Sequence, residues 1–339
     1  MKKIAQISAF AKYAWFVLTY NILVILWGVF LRASKSGDGC GQHWLTCHGE
    51  VIPVAPEFKT TIEFVHRVMS ALDGLLMLFL LGWALRRWYL SRTEPDRSVL
   101  RTAAVSFFFV LTEGAIGAGL VLTGNTAETL TAARPFWMVG HLINTFVLLT
   151  FLTLTARRAS GGARLSFEIE RKLIIALFVG IVAILIVGMT GSIAALSHML
   201  FPVGTLAEGI ASDFSSASHA LLRLRLLHPI SAILASVFLI LLTGWIARQR
   251  NGEKHTVRWS NIVTLLVLAQ LAFGAATLLT LAPIVMQLGH LLIADAIWLA
   301  YVMFGASVLS KPDAVSSASD PSTSSSLDAV NSSEASAGT

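Results

Sequence analysis

Apolar residues in this chain come in long unbroken runs, not in the half-polar stripes of a helix lying on a water-soluble core. The runs recur at roughly 13–32, 61–85, 100–123, 136–156, 173–195, 222–247, 260–281 and 284–309. Each is long enough to cross about 30 Å of hydrocarbon, so the pattern predicts eight membrane-spanning helices. Between the last two runs Pro283 stands with almost no polar linker, which leaves a re-entrant pair as the alternative there. The first run follows Lys2, Lys3 and Lys12 and precedes Ala33 and Ser34, as a secretion signal would. It is longer than an ordinary signal core and seven further spans follow, so an uncleaved first helix is expected.

Composition agrees with a lipid solvent: 55% of the 339 residues are hydrophobic and 13% charged. The net charge of +6 could suggest nucleic acid, but the basic residues gather at alternate membrane ends. Arg86, Arg87, Arg92, Arg97 and Arg101 lie between spans 2 and 3. Arg157, Arg158, Arg164, Arg171 and Lys172 lie between 4 and 5, and Arg248, Arg250, Lys254 and Arg258 between 6 and 7. With the N-terminal lysines and Lys311 they put most Lys and Arg on one side, which by the positive-inside rule is cytoplasmic, together with both termini. The expected setting is a plasma-membrane bilayer and not a nucleic acid. The loops at 33–60, 124–135 and 196–221 then face the opposite, oxidising side. The tail from 315 to 339 is mostly Ser, Ala, Asp and Thr without apolar periodicity, and disorder is expected there.

An internal repeat organises the spans. His66 in span 2 and His228 in span 6 are each followed seventeen positions later by a tryptophan, Trp83 and Trp245. Span 3 carries Val110-Leu111, Ala115, Gly117-Ala118 and Leu122-Thr123. Span 7 matches it with Val267-Leu268, Ala272, Gly274-Ala275 and Leu279-Thr280. Gly140-His141-Leu142 in span 4 reappears as Gly289-His290-Leu291 in span 8. The expected architecture is therefore all-α, two duplicated four-helix bundles related by a pseudo-two-fold along the membrane normal. The units are 1–158 and 159–310, with 311–339 as a cytoplasmic tail.

The histidines follow this repeat. His66 and His141 in the first unit, and His228 and His290 in the second, fall within about two turns of the same membrane face. One buried histidine is more often a packed, hydrogen-bonded residue than a ligand. Four in a two-by-two pattern point further. Two imidazoles on two helices of a bundle form an axial pair for haem iron, with the porphyrin between the helices. Zinc fits less well, because it takes three or four protein ligands and no third ligand type recurs in both units.

Glu63 lies three residues before His66, on the same helix face, and Arg225 takes the matching place in the second unit. An acid beside one haem position and a base beside the other is the asymmetry expected if one haem is worked on while the other passes electrons. The alternative is that Glu63 simply pairs with Arg67 at the water interface. Cys40 and Cys47, the only cysteines, stand seven positions apart in the first outer loop and are expected to form a disulfide. Their spacing leaves open a loop staple or a redox pair. His43 and His48 beside them are a weaker suggestion of a loop metal site. Glu113 in span 3, matched by Gln270, reads as interhelical glue or as a contact to a haem substituent. His198, His219 and His255 break the repeat and receive no ligand role.

Over residues of roughly 10–310 the chain resembles bacterial haem A synthase. Glu63-Phe-Val-His66-Arg67, the Gly-His-Leu pair at 141 and 290, His228 and the two outer-loop cysteines carry the resemblance. It implies an oxidoreductase that converts a ring methyl of haem O to the formyl group of haem A for terminal oxidase assembly. It further implies haem O or haem A on His66 and His141, a haem B cofactor on His228 and His290, Glu63 as base or charge stabiliser, and Cys40 with Cys47 supporting the outer face or exchanging electrons. Haem O synthase and a membrane electron acceptor are the partners it suggests. No cysteine pair in the second unit mirrors Cys40 and Cys47, so any thiol chemistry belongs to one half. A di-haem electron-transfer protein of the cytochrome b kind is the rival reading; a transporter on the same duplication fits poorly, since the histidines lie near one surface.

Overall fold

A computed structural model of the chain describes residues 7–91 and 97–310. Lys2, Lys3, Arg92, Lys311 and the tail expected to be disordered lie outside these residues. Ten helices occur among the described residues: α1 (Ala9–Ala33), α2 (Phe58–Leu90), α3 (Arg97–Leu122), α4 (Arg134–Ala159), α5 (Arg171–Leu200), α6 (Leu206–Phe214), α7 (Ala220–Leu224), α8 (Leu227–Gln249), α9 (Lys254–Leu279) and α10 (Ile284–Val308). Eight candidate spans emerge, with α7 and α8 together forming the sixth. The chain is thus a multi-pass membrane protein. In lipid every backbone N–H and C=O must find its partner within the fold, which continuous helices achieve internally. Side chains such as Phe16, Phe79, Phe108, Phe178, Leu241 and Leu265 stay exposed because hydrocarbon, not water, surrounds them.

Local sequence explains where the helices begin and stop. Ser8 caps α1 by accepting from the Ala11 amide at 3.2 Å. Pro135 in the first turn of α4 occupies a position where its missing N–H costs no ladder bond. Between α9 and α10, Leu281 and Ala282 both take the left-handed conformation, and the Ala282 amide returns to the Thr277 carbonyl at 2.8 Å. This turn joins two full-length helices of 26 and 25 residues, each reaching nearly 40 Å, so the last pair spans and is not re-entrant.

In the first half α1–α2, α2–α3, α3–α4 and α1–α4 pack together; in the second, α5–α8, α8–α9 and α9–α10 do. The halves meet through α4 against α10, α1 against α10 and α4 against α5. α4 and α10 are the central helices: 39% and 50% of their most apolar stretches are buried, against 11–22% for the other six spans. At this seam the Phe146 and Trp298 rings stack at 4.5 Å, and the indole N–H of Trp298 donates to the Phe146 carbonyl at 2.7 Å. The Tyr301 hydroxyl donates to the Leu177 carbonyl at 3.0 Å, in space left by Gly180, a small residue that lets two helices approach.

Candidate haem-binding site

His66 on α2, His141 on α4, His228 on α8 and His290 on α10 all line one continuous cavity of about 2080 Å³ that runs through both halves. Three of the four rings lie against helix backbone where a glycine removes the competing side chain. A Cβ added at Gly28 of α1 would stand 3.2 Å from His66 Cε1, and one at Gly191 of α5 would stand 2.9 Å from His228 Cε1. At Gly274 of α9 it would stand 3.0 Å from His290 Cε1. These positions call for glycine because of close approach, not turn geometry.

The His228 and His290 rings lie 6.1 Å apart, centroid to centroid, and are mutually perpendicular. An imidazole binds a metal at about 2 Å from its nitrogen, so one ion between two facing rings separates their centroids by roughly 6 Å. The spacing of the pair matches that of a bis-histidine iron. Nδ1 of His66 and of His290 are buried and have no hydrogen-bond partner among the described residues, whereas a packed histidine ordinarily has both ring nitrogens satisfied. No group of three or more His, Cys, Asp or Glu side chains suited to a metal ion occurs among the described residues.

His141 is held differently. Its Nδ1 lies 2.8 Å from Glu113 Oε2, and the same carboxylate oxygen accepts from Asn144 Nδ2 at 2.9 Å. Thr145 contacts the other oxygen. At the matched place Gln270 donates through Nε2 to the His290 carbonyl at 3.0 Å and lies 3.3 Å from His290 Nε2. Asn144 and Thr145 were not singled out from the sequence. Their spacing of three and four residues after His141, on its helix face, is the signal that could have found them.

Glu63 is buried, and three contacts hold it. Its Oε2 accepts from the Cys40 amide at 2.8 Å, and its Oε1 accepts from Arg67 Nη2 at 2.5 Å and Nε at 3.1 Å. Pairing with Arg67 is therefore present, while Glu63 also lines the cavity. Arg67 continues outward, donating through Nη1 to the carbonyls of His43 at 2.7 Å and Thr46 at 2.8 Å. Together Glu63 and Arg67 fasten the Cys40–Cys47 loop, closed by its disulfide, over the end of α2. His48 serves the same loop through a 2.8 Å contact with the Gly39 carbonyl.

In the second half the corresponding loop is the helix α6, which the apolar pattern did not reveal. Arg225 pairs with Asp213 at its end and donates to the Gly209 carbonyl at 2.9 Å. Of the three unassigned histidines, His198 lines the cavity, His219 caps α7 by accepting from the Leu221 amide at 3.2 Å, and His255 begins α9. Arg32 and Arg134 add positive charge to the cavity wall near its disulfide-loop end; Arg134 is steadied by the Thr129 carbonyl at 2.6 Å.

Several known proteins are similar to the chain over most of its length. Heme A synthase of Shouchella clausii is 30% identical over 266 residues, covering 76% of this chain and 83% of that protein. Heme A synthase of Halalkalibacterium halodurans is 27% identical over 304 residues, covering 87% and 95%. A protein of Thermus thermophilus named protoheme IX farnesyltransferase is 41% identical over 304 residues, 90% of this chain and 49% of that protein, so the chain spans about half of its length. Residues 11–302, from the first turn of α1 to the last turns of α10, match the COX15-CtaA model, described as cytochrome oxidase assembly protein, and the chain belongs to that family.

Proposed function

We propose that the protein is a haem A synthase, an oxidoreductase that converts a ring methyl of haem O to the formyl group of haem A. The observation that carries this reading is the set of four histidines in one apolar cavity, with the His228 and His290 rings 6.1 Å apart and perpendicular. The names of the Shouchella and Halalkalibacterium relatives support it. His66 and His141 would hold haem O as substrate and haem A as product, while His228 and His290 would hold haem B. The haem B, when bound, supplies a one-electron relay. Methyl-to-formyl conversion is a four-electron oxidation in two two-electron steps: the oxygen of one water replaces two methyl hydrogens, four protons are released, and a membrane electron acceptor takes the electrons.

The chain's own residues supply position and charge. Glu63, on the cavity wall one turn before His66, acts on the substrate side as base or as stabiliser of developing positive charge. Arg67 and the Cys40 amide hold it there. The disulfide loop closes the end of the first half and excludes water from it, and the apolar lining suits a farnesyl tail. Both halves descend in this reading from one duplicated four-helix unit. The matched glycines at 28 and 191, each against a histidine, support that, as do the seam pairs α1–α10 and α5–α4, which exchange when the halves are swapped. The histidine face is extracytoplasmic, with both termini on the cytoplasmic side of the plasma membrane, by the distribution of Lys and Arg. The Thermus relative, about twice as long and named for farnesyl transfer to protoheme IX, supports haem O synthase as the partner supplying the substrate.

Extraction of non-covalent haem from purified protein, with chromatography and mass determination, tests this. Haem B together with haem O or haem A is the expected result. Haem B alone in both halves would favour a di-haem electron carrier, and absence of haem would refute the reading.

A further inference from the structure

Glu113 of span 3, read from the sequence as interhelical glue or a contact to a haem substituent, and its match Gln270 of span 7 each touch a histidine of their own half, and the two contacts differ in kind. Glu113 meets the Nδ1 edge of His141 with a carboxylate at 2.8 Å. The surrounding groups are arranged to serve that carboxylate. The Thr112 hydroxyl donates to Asn144 Oδ1 at 2.7 Å, which turns the Asn144 amide nitrogen towards Glu113 Oε2 and the Phe109 carbonyl, each at 2.9 Å. In the second half an uncharged amide stands at the matched place. Gln270 Nε2 donates to the His290 carbonyl at 3.0 Å and lies 3.3 Å from the ring's Nε2, so no side chain accepts from His290 Nδ1, which like Gln270 Oε1 has no partner among the described residues. The residues matching Asn144 and Thr145 are Ile293 and Ala294, which offer no side-chain hydrogen bond.

We infer that Glu113 is a positioning residue that acts through His141 to lower the reduction potential of the first-half haem, an effect that Gln270 does not exert on the second. This rests on the haem assignment proposed above. A carboxylate that accepts the Nδ1–H of a ligating imidazole fixes the tautomer, leaves Nε2 as the metal-binding nitrogen and increases its electron donation. Stronger donation favours the ferric state and lowers the potential. An amide carries no net charge and, turned donor-first, pushes no density into the ring. The two matched histidines thereby become ligands of unequal strength in otherwise similar bundles, and the haem worked on becomes the easier one to oxidise relative to its unmodified frame.

The test is a potentiometric titration of the full-length purified protein followed by haem absorbance, on the parent, Glu113→Gln and Gln270→Glu. Glu113→Gln should shift the midpoint of the haem that depends on His66 to higher potential and leave the other unmoved. Gln270→Glu, at a position that meets His290 at Nε2 and not at Nδ1, is the control and should leave the first-half midpoint unmoved. Retained haem with an unchanged midpoint in Glu113→Gln overturns the inference. Should Glu113→Gln fail to hold its haem, Glu113→Asp, which keeps the charge but draws it back from Nδ1, is titrated in its place, and an unchanged first-half midpoint there overturns the inference. A parent protein with no haem dependent on His66 and His141 refutes the underlying assignment, and is recognised before any midpoint is compared.

Discussion

Glu63 stands three residues before the α2 histidine, and Arg225 stands three residues before the α8 histidine. Around the first, a carboxylate accepts from Arg67 and the Cys40 amide and a disulfide closes the loop; around the second, a guanidinium pairs with Asp213 at the end of α6. One helix further on the contrast repeats, with Glu113 on His141 and Gln270 on His290. The frame that presents the rings is alike, with a glycine of the first helix of each half against the histidine of the second. A shared frame with differing charge is what the proposed division between a substrate haem and an electron-relay haem calls for. In that proposal Glu63 and Glu113 stand beside the haem that is worked on, and Gln270 beside the one that only gives and takes electrons.

The sharpest break in this comparison is Glu63→Gln. The amide keeps an acceptor for the Cys40 amide but removes the charge, so haem content should stay near the parent's while haem A formation falls by about 10²–10⁴-fold, the range for a lost general base. Equal loss of haem and product would instead make Glu63 a structural residue. Haem per protein from absorbance, beside haem A from extraction, reads both.

The shared frame is tested by alanine at the ring-facing glycines. Gly191→Ala places a Cβ 2.9 Å from the His228 ring, Gly274→Ala 3.0 Å from His290 and Gly28→Ala 3.2 Å from His66. Overpacking of this kind costs about 1–3 kcal/mol, and the loss of bound haem should rank in that order. Gly244 has open space around it, so Gly244→Ala is the matched control and should retain haem.

Removing the disulfide with Cys40→Ser and Cys47→Ser should destabilise the first-half loop by about 2–3 kcal/mol, from loop entropy alone. Limited proteolysis should then cut within 40–57 and leave α6 as it was. If haem A formation persists in that variant, the cysteines are a staple; if it stops with the haem still bound, they exchange electrons.

The smallest effect belongs to Glu128, exposed on the disulfide-loop face beside Lys35. The hydrogen bond and charge of Lys35 hold its carboxyl below the ordinary value. A depressed carboxyl contributes stability above its unfolded value and loses it as pH falls through its folded one. Because the pair is exposed, Glu128→Gln should barely move thermal stability at neutral pH.

Much of this was legible in the chain itself. Hydrocarbon imposes length and apolarity on every span, so all eight stood out, and the four histidines could be placed at like depth from their position within each run. Where the runs meet polar loops, the periodic signal ends. The helix α6 is too short and mixed to register, and the Arg67 bonds to the His43 and Thr46 carbonyls depend on how a coil folds back. The Glu113–His141 contact joins residues on neighbouring helices; the match of Glu113 with Gln270 marked the place but not the partner. Glu63 was legible as a residue beside His66, whereas its hold on the Cys40 amide follows from tertiary placement alone.

The division of labour between the halves is tested most directly by extracting and weighing the haems of His66→Ala and His228→Ala side by side. His228→Ala should lose haem B and keep haem O, while His66→Ala should keep haem B alone. Retention of haem B in His228→Ala, or the same haem lost from both variants, would contradict it.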